Sequence, residues 1–192
     1  MDIIKKMSLE KFQAEITVKD ITPIQVITFA LNAGAIVFLI VTLYLYFSNP
    51  NAPSEIPEGS SYLDLMLYIM LFVFIVSIFT SKIFSKRVLL GKMDSAYENI
   101  DIKASTEKNS LLVFNTHHII KLAILEGSTL FGLVVLLYAA LNGMLNSFSP
   151  YWLGLLPLIY FLFISFTTFP TKEKIIEVLK AVKNELELEK KL

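Results

Sequence analysis

Residues 23–47 read PIQVITFALNAGAIVFLIVTLYLYF. No acid, base or histidine interrupts them. A helix needs roughly 20 apolar residues to cross a hydrocarbon core about 30 Å thick, and this stretch is long enough. In lipid, each backbone polar group must find its partner within the protein, which favours a helix. Three more stretches have the same character. Residues 62–79 carry Asp64 near their start. Residues 119–141 have Lys121 at their entrance and Glu126 inside. Residues 151–169 contain neither acid nor base. The runs are continuously apolar rather than alternating, which argues against a barrel. The expected fold class is all-α: a polytopic membrane protein with four transmembrane helices.

Composition agrees. Of 192 residues, 55% are apolar and 18% charged, where a soluble domain has about a quarter charged. The net charge is zero, so nothing points to nucleic acid as a partner. Cysteine is absent, which removes disulfides, thiolate metal sites and cysteine nucleophiles. No cofactor or metal site is expected. The first twenty residues carry Lys5, Lys6, Glu10, Lys11, Glu15, Lys19 and Asp20. No cleavable signal peptide is therefore expected.

Orientation follows from the bases. All 17 lysines and arginines lie before Pro23, between Thr80 and Lys121, or after Pro170. The connection 48–61 has only Glu55 and Glu58, and the connection 142–150 has no charge. The positive-inside rule then places both termini and the middle segment in the cytoplasm. The expected location is a bacterial inner membrane. Asn49-Pro50-Asn51 and Ser149-Pro150 mark the outer turns. Tyr62, Tyr151 and Trp152 suit the outer interface.

The chain also reads as two tandem parallel hairpin repeats. Shifting the first span by 94 residues lays Asn32-Ala33-Gly34-Ala35 on Glu126-Gly127-Ser128-Thr129. Shifting the second by 90 lays Phe79-Thr80-Ser81-Lys82 on Phe169-Pro170-Thr171-Lys172. The implied divisions are an N-terminal segment (1–20), a first hairpin with its extension (21–92), a linker (93–118) and a second hairpin with a terminal helix (119–192). Both hairpins would enter from the cytoplasm about an axis along the membrane normal. Small residues at Ala33, Gly34, Ala35, Gly127 and Ser128 would then permit close helix approach.

Glu126 is the chemical focus. A carboxylate in a span costs about 2.5–3.5 kcal/mol on insertion scales. Seven residues beyond Ile119 put it roughly 10 Å along the helix axis, so it should face protein or water. One reading is an interhelical polar clamp among Glu126, Asn32, Ser128 and Thr129. Another is a proton or cation site with His118 at its mouth, and a third is a site for a lipid, quinone or other small ligand. His117-His118 reads as an interfacial pair, and Asp64 as solvated or capping.

The flanking parts are amphipathic. Residues 82–92 mix Lys82, Lys86 and Arg87 with Ile83, Phe84, Val88 and Leu89, extending the second helix beyond the membrane near anionic headgroups. Residues 94–109 are polar and suit a linker or cap. Pro170-Thr171 opens a last helix whose Ile175, Val178, Leu179, Val182 and Leu186 form one stripe. That stripe would pack on the membrane surface, on residues 3–18, or on a partner's copy. These extensions are the expected cytoplasmic amphipathic helices. There is no phosphate loop, no Ser–His–Asp pattern, no intramembrane aspartate pair and no H-E-x-x-H motif. The chain is expected not to be an enzyme.

Two segments carry resemblances. Ala123-Ile124-Leu125-Glu126-Gly127-Ser128-Thr129-Leu130-Phe131, followed by Gly132-Leu133-Val134, resembles the carboxylate helix of rotary ATPase proteolipid (c-type) subunits. That resemblance implies an ion-carrying Glu126 in a ring of subunits. Neither 62–79 nor 151–169 is glycine-rich like the inner helix of those hairpins. Together with Phe169-Pro170-Thr171-Lys172-Glu173-Lys174-Ile175-Ile176, the motif resembles small uncharacterised four-span bacterial membrane proteins. The expected role is structural or accessory, as a homo-oligomer or with other membrane subunits. The alternative is a proton- or cation-translocating assembly using Glu126.

Overall fold

The computed structural model describes residues 4, 8–48, 60–90, 105–145 and 149–188. The turn Asn49-Pro50-Asn51, the last two residues of the 82–92 extension and residues 94–104 of the polar stretch lie outside them. Among the described residues there is no strand. The helices are α1 (Leu9–Glu15), α2 (Val18–Ser48), α3 (Ser60–Leu89), α4 (Thr106–Leu141), α5 (Leu155–Thr167) and α6 (Lys172–Leu188). A 3-10 turn, Pro150–Gly154, leads into α5.

Local chemistry sets several of these ends. The Thr17 backbone N–H and hydroxyl both donate to Asp20, at 2.8 and 2.6 Å. The Asp20 carboxylate thus holds the residue before α2, while the Asp20 N–H bonds to the Thr17 carbonyl at 3.2 Å, and the carboxylate's charge suits the first turn of the helix. Gly143 ends α4 with φ of 64°, a left-handed geometry in which only glycine is unstrained. Its N–H bonds to Ala140 O and that of Met144 to Ala139 O, at 3.1 and 2.9 Å. That pattern is a Schellman cap. Thr171 Oγ1 accepts the Lys174 N–H and opens α6.

The chain packs as two compact units. A charged unit takes Met1–Thr28, Ser81–Lys121 and Thr168–Leu192, and an apolar unit takes Phe29–Thr80 and Leu122–Thr167. Every lysine and arginine of the sequence falls within the charged unit's ranges. These units follow packing, whereas the four divisions read from sequence follow the order of the chain.

The apolar unit has the dimensions of a bilayer. Helices α2, α3 and α4 contribute residues 29–48, 60–80 and 122–141 to it. Each piece is about 30 Å long at 1.5 Å per residue. The fourth span, Pro150–Thr167, has only 18 residues. Its opening 3-10 turn rises about 2.0 Å per residue, which brings it to about 30 Å as well. All four are long and apolar enough to cross a membrane.

Side chains in this unit are not sorted as in a soluble domain, since large apolar groups lie on the outside as well as in the core. Phe72, Ile159 and Phe163 are 68%, 61% and 62% exposed, while Thr42, Thr129 and Ser165 are fully buried. Lipid favours this arrangement, since an apolar chain loses nothing by facing it and a hydroxyl needs a protein partner. Beneath lie two apolar clusters, one around Leu63, Met70 and Leu136, the other around Ala35, Leu125 and Phe161.

The charged unit packs like a small soluble helical domain. Its core gathers Phe12, Ile16, Ile24, Phe114, Ile175 and Leu179. Of the three positions open to the α6 stripe, the structure takes the one on the N-terminal segment: Ile175, Leu179 and Val182 share this core with Phe12 and Ile16. Lys172 Nζ donates to Gln13 O at 2.7 Å, and Lys86 pairs with Glu185 at 2.7 Å. α4 begins at Thr106, thirteen residues before the expected span. Its early turns bury Ser110 and His118 beside Val113 and Phe114. This mixture lacks the continuous hydropathy of a span.

Candidate functional site

Polar side chains in the apolar unit meet in pairs across helices. Asn32 of α2 donates from Nδ2 to Ser165 Oγ of α5 at 2.8 Å. Ser77 of α3 lies with its hydroxyl 3.1 Å from that of Ser128 on α4. Each of these two serines also reaches a carbonyl of its own helix, Phe74 O at 2.7 Å and Leu125 O at 2.8 Å. Thr129 Oγ1 is 3.0 Å from Leu125 O and 3.2 Å from Pro157 O on α5. All five side chains are buried. Interhelical hydrogen bonds of this kind contribute about 0.6–2 kcal/mol each in membranes. Asn32 Oδ1 is buried and has no hydrogen-bond partner among the described residues.

Glu126 stands apart from these pairs. It is half-buried, and among the described residues no side chain bonds or pairs with its carboxylate. Ala123, Gly127 and Leu130 on the same helix are exposed. The structure does not gather Glu126, Asn32, Ser128 and Thr129 into one clamp: Asn32 meets Ser165, Ser128 meets Ser77, and Thr129 meets the Pro157 carbonyl. Sequence alone does not single out Ser77 or Ser165. Nothing in a lone serine of an apolar run tells which helix it will face.

The histidines belong to the charged unit. His118 is 2% exposed. Its ring stacks on Phe114, with centroids 5.9 Å apart and planes 12° apart. Its Nε2 lies 3.1 Å from Thr28 Oγ1, and that hydroxyl is 2.8 Å from Ile24 O. A hydroxyl that donates to Ile24 leaves its oxygen to accept from a protonated Nε2. His117 Nδ1 lies 2.8 Å from Ser85 O, so that nitrogen carries the proton. The pair expected at an interface is therefore built into helix packing: His117 reaches α3 and His118 reaches α2.

Ala35, one of the expected packing residues, is fully buried in a cluster with Leu122 and Leu125. Ala33 is half-buried. Gly34 and Gly127 are exposed, and a Cβ added at either meets nothing within 4 Å among the described residues. The close approach within the chain lies elsewhere. A Cβ at Gly132 would sit 2.5 Å from Gly154 O, and one at Gly154 would sit 2.6 Å from Gly132 O. The repeat shifts put Phe38 at the position of Gly132 and Asp64 at that of Gly154. This contact therefore has no counterpart residues in the first hairpin. Asp64, expected to be solvated or capping, accepts the phenol of buried Tyr151 at 2.6 Å.

Among the described residues no three His, Asp or Glu side chains gather as a metal site would need. Fold and contacts define a class, a polytopic helical membrane protein whose spans are tied by buried polar pairs. No family model matches the chain, and neither the curated proteins nor the solved structures yield a match.

Proposed function

We propose that this chain is a non-enzymatic integral membrane protein with a structural or accessory role. It self-assembles or joins a larger membrane complex through its helices, in a bacterial inner membrane. The observation that carries this reading is how the buried polar groups are used. Asn32, Ser77, Ser128, Thr129 and Ser165 are each engaged with a neighbouring helix, which serves rigidity rather than chemistry. The gathering of all lysines and arginines into the charged unit's ranges supports a cytoplasmic position for that unit and for both termini.

A second reading rests on one observation, the half-buried Glu126 carboxylate with no described partner. Such a group could carry a proton or cation across the membrane. Flux in proteoliposomes separates the two. The structural reading expects no pH-driven proton or sodium flux in the wild type and unchanged assembly in Glu126→Gln. Wild-type flux that Glu126→Gln abolishes, with assembly intact, would overturn it in favour of transport.

A further inference from the structure

The lysines of the charged unit differ in how their charge is met. Among the described residues Lys121, Lys172, Lys174 and Lys183 are half-buried. Lys172 donates to Gln13 O, Lys174 pairs with Glu177, and Lys183 is also engaged. Lys121 has no such partner among the described residues. Lys82, His117 and His118 are the groups whose charge is coupled to it, and none is an acid. Two helices bring Lys82 and Lys121 together. The N–H of His117 Nδ1 donates to Ser85 O at 2.8 Å and ties α4 to α3. Lys82 lies three residues before Ser85, and Lys121 four after His117. Those spacings keep both lysines on the helix faces that meet. Each is one turn closer to the apolar stretch of its helix, since the charged unit's middle range runs from Ser81 to Lys121.

We propose that Lys82 and Lys121 form a binding site for the phosphate of an anionic membrane lipid. A partly buried ammonium is costly without an anion beside it, and a second ammonium nearby adds repulsion. A phosphate held between the two offers each a charge-assisted acceptor and turns that repulsion into attraction. The surroundings favour a lipid over a soluble phosphate. Phe79 and Ile83 on α3, three residues before and one after Lys82, are 63% and 51% exposed. A ligand that carries both a phosphate and an acyl chain suits both kinds of group, and a soluble phosphate leaves the apolar side chains bare. Depth agrees as well. The apolar stretches of α3 and α4 match the hydrocarbon core in length, and the residues next beyond such a stretch reach the headgroups. This site goes beyond the proposed role and does not depend on self-association.

Native mass spectrometry of the full chain in neutral detergent resolves lipids bound one at a time. Titrated with phosphatidylglycerol and, separately, with phosphatidylcholine, the wild type should bind its first phosphatidylglycerol the more tightly. A lysine near the membrane surface changes such binding about fivefold. Lys82→Gln and Lys121→Gln should each weaken the first phosphatidylglycerol by about that factor, while phosphatidylcholine binding and thermal unfolding stay unchanged. Lys121→Arg should keep the affinity. Lys180→Gln, which removes an exposed charge from α6, should keep it too. A wild type that binds the two lipids equally would overturn the site. So would an equal loss in Lys180→Gln, which would mark a diffuse surface charge instead. Should Lys121→Gln fail to fold, Lys82→Gln decides, because Lys82 is exposed; full affinity there would overturn the pair. Glycerol phosphate, the headgroup portion without chains, should not displace the lipid at millimolar excess. Displacement would overturn the lipid as ligand in favour of a soluble phosphate.

Discussion

Gly132→Leu is expected to leave the apolar unit unable to fold. A Cβ there would lie 2.5 Å from Gly154 O and 3.3 Å from a Pro157 ring carbon. The first of these is a backbone atom and cannot rotate away as a side chain could. Overpacking a tight core costs about 1–3 kcal/mol, so Gly132→Ala should already lower the thermal midpoint clearly. Leucine adds three more carbons to the same gap. The only tryptophan, Trp152, lies in the 3-10 turn with Gly154 and packs edge-on against Tyr46 at 5.7 Å. Its fluorescence in detergent therefore reports the loss. Gly34→Ala and Gly127→Ala are the controls and should melt with the wild type. A Gly132→Leu protein that melts with the wild type would show that the helices do not touch there.

Phe12→Ala should have the second large effect, in the charged unit. Phe12 is completely buried in the core it shares with Ile16, Ile175 and Leu179. Removing a buried phenyl ring costs about 3–5 kcal/mol. α1 has only seven residues, too few to hold a helix alone, so its order depends on that contact. Hydrogen exchange should show lost protection in Leu9–Glu15 and along the Ile175–Leu179–Val182 face of α6. Limited proteolysis should cut first in the same segments. Unchanged protection in both would show that α6 does not depend on Phe12.

The spans were legible because lipid leaves a simple mark, long apolar runs without charge. The same simplicity hid most of the contacts. Ser77 and Ser165 look like any serine in an apolar run, and only helix rotation and register make them partners of Ser128 and Asn32. Gly132 and Gly154 likewise become a close contact only once two segments are paired. Gly127 drew attention beside Glu126, yet it faces open space. The early turns of α4 look like part of the linker (93–118) in the sequence, since polar residues such as Ser110 and His118 break the apolar run that marks a span. In the structure those groups point inward, His118 against Thr28 and Phe114. The stripe on α6 was fully legible, but its partner was one of three, and the choice depended on Phe12 and Ile16 lying across from it.

The most direct test is the environment of exposed side chains in lipid vesicles. Nitroxide labels on single cysteines at Phe72, Ile159 and Phe163 of the apolar unit should be reached by oxygen and shielded from a water-soluble nickel chelate. Labels at Lys180 and Glu177 on α6 should show the reverse. Ready access of the chelate to Phe72, Ile159 and Phe163 would contradict a membrane-spanning apolar unit.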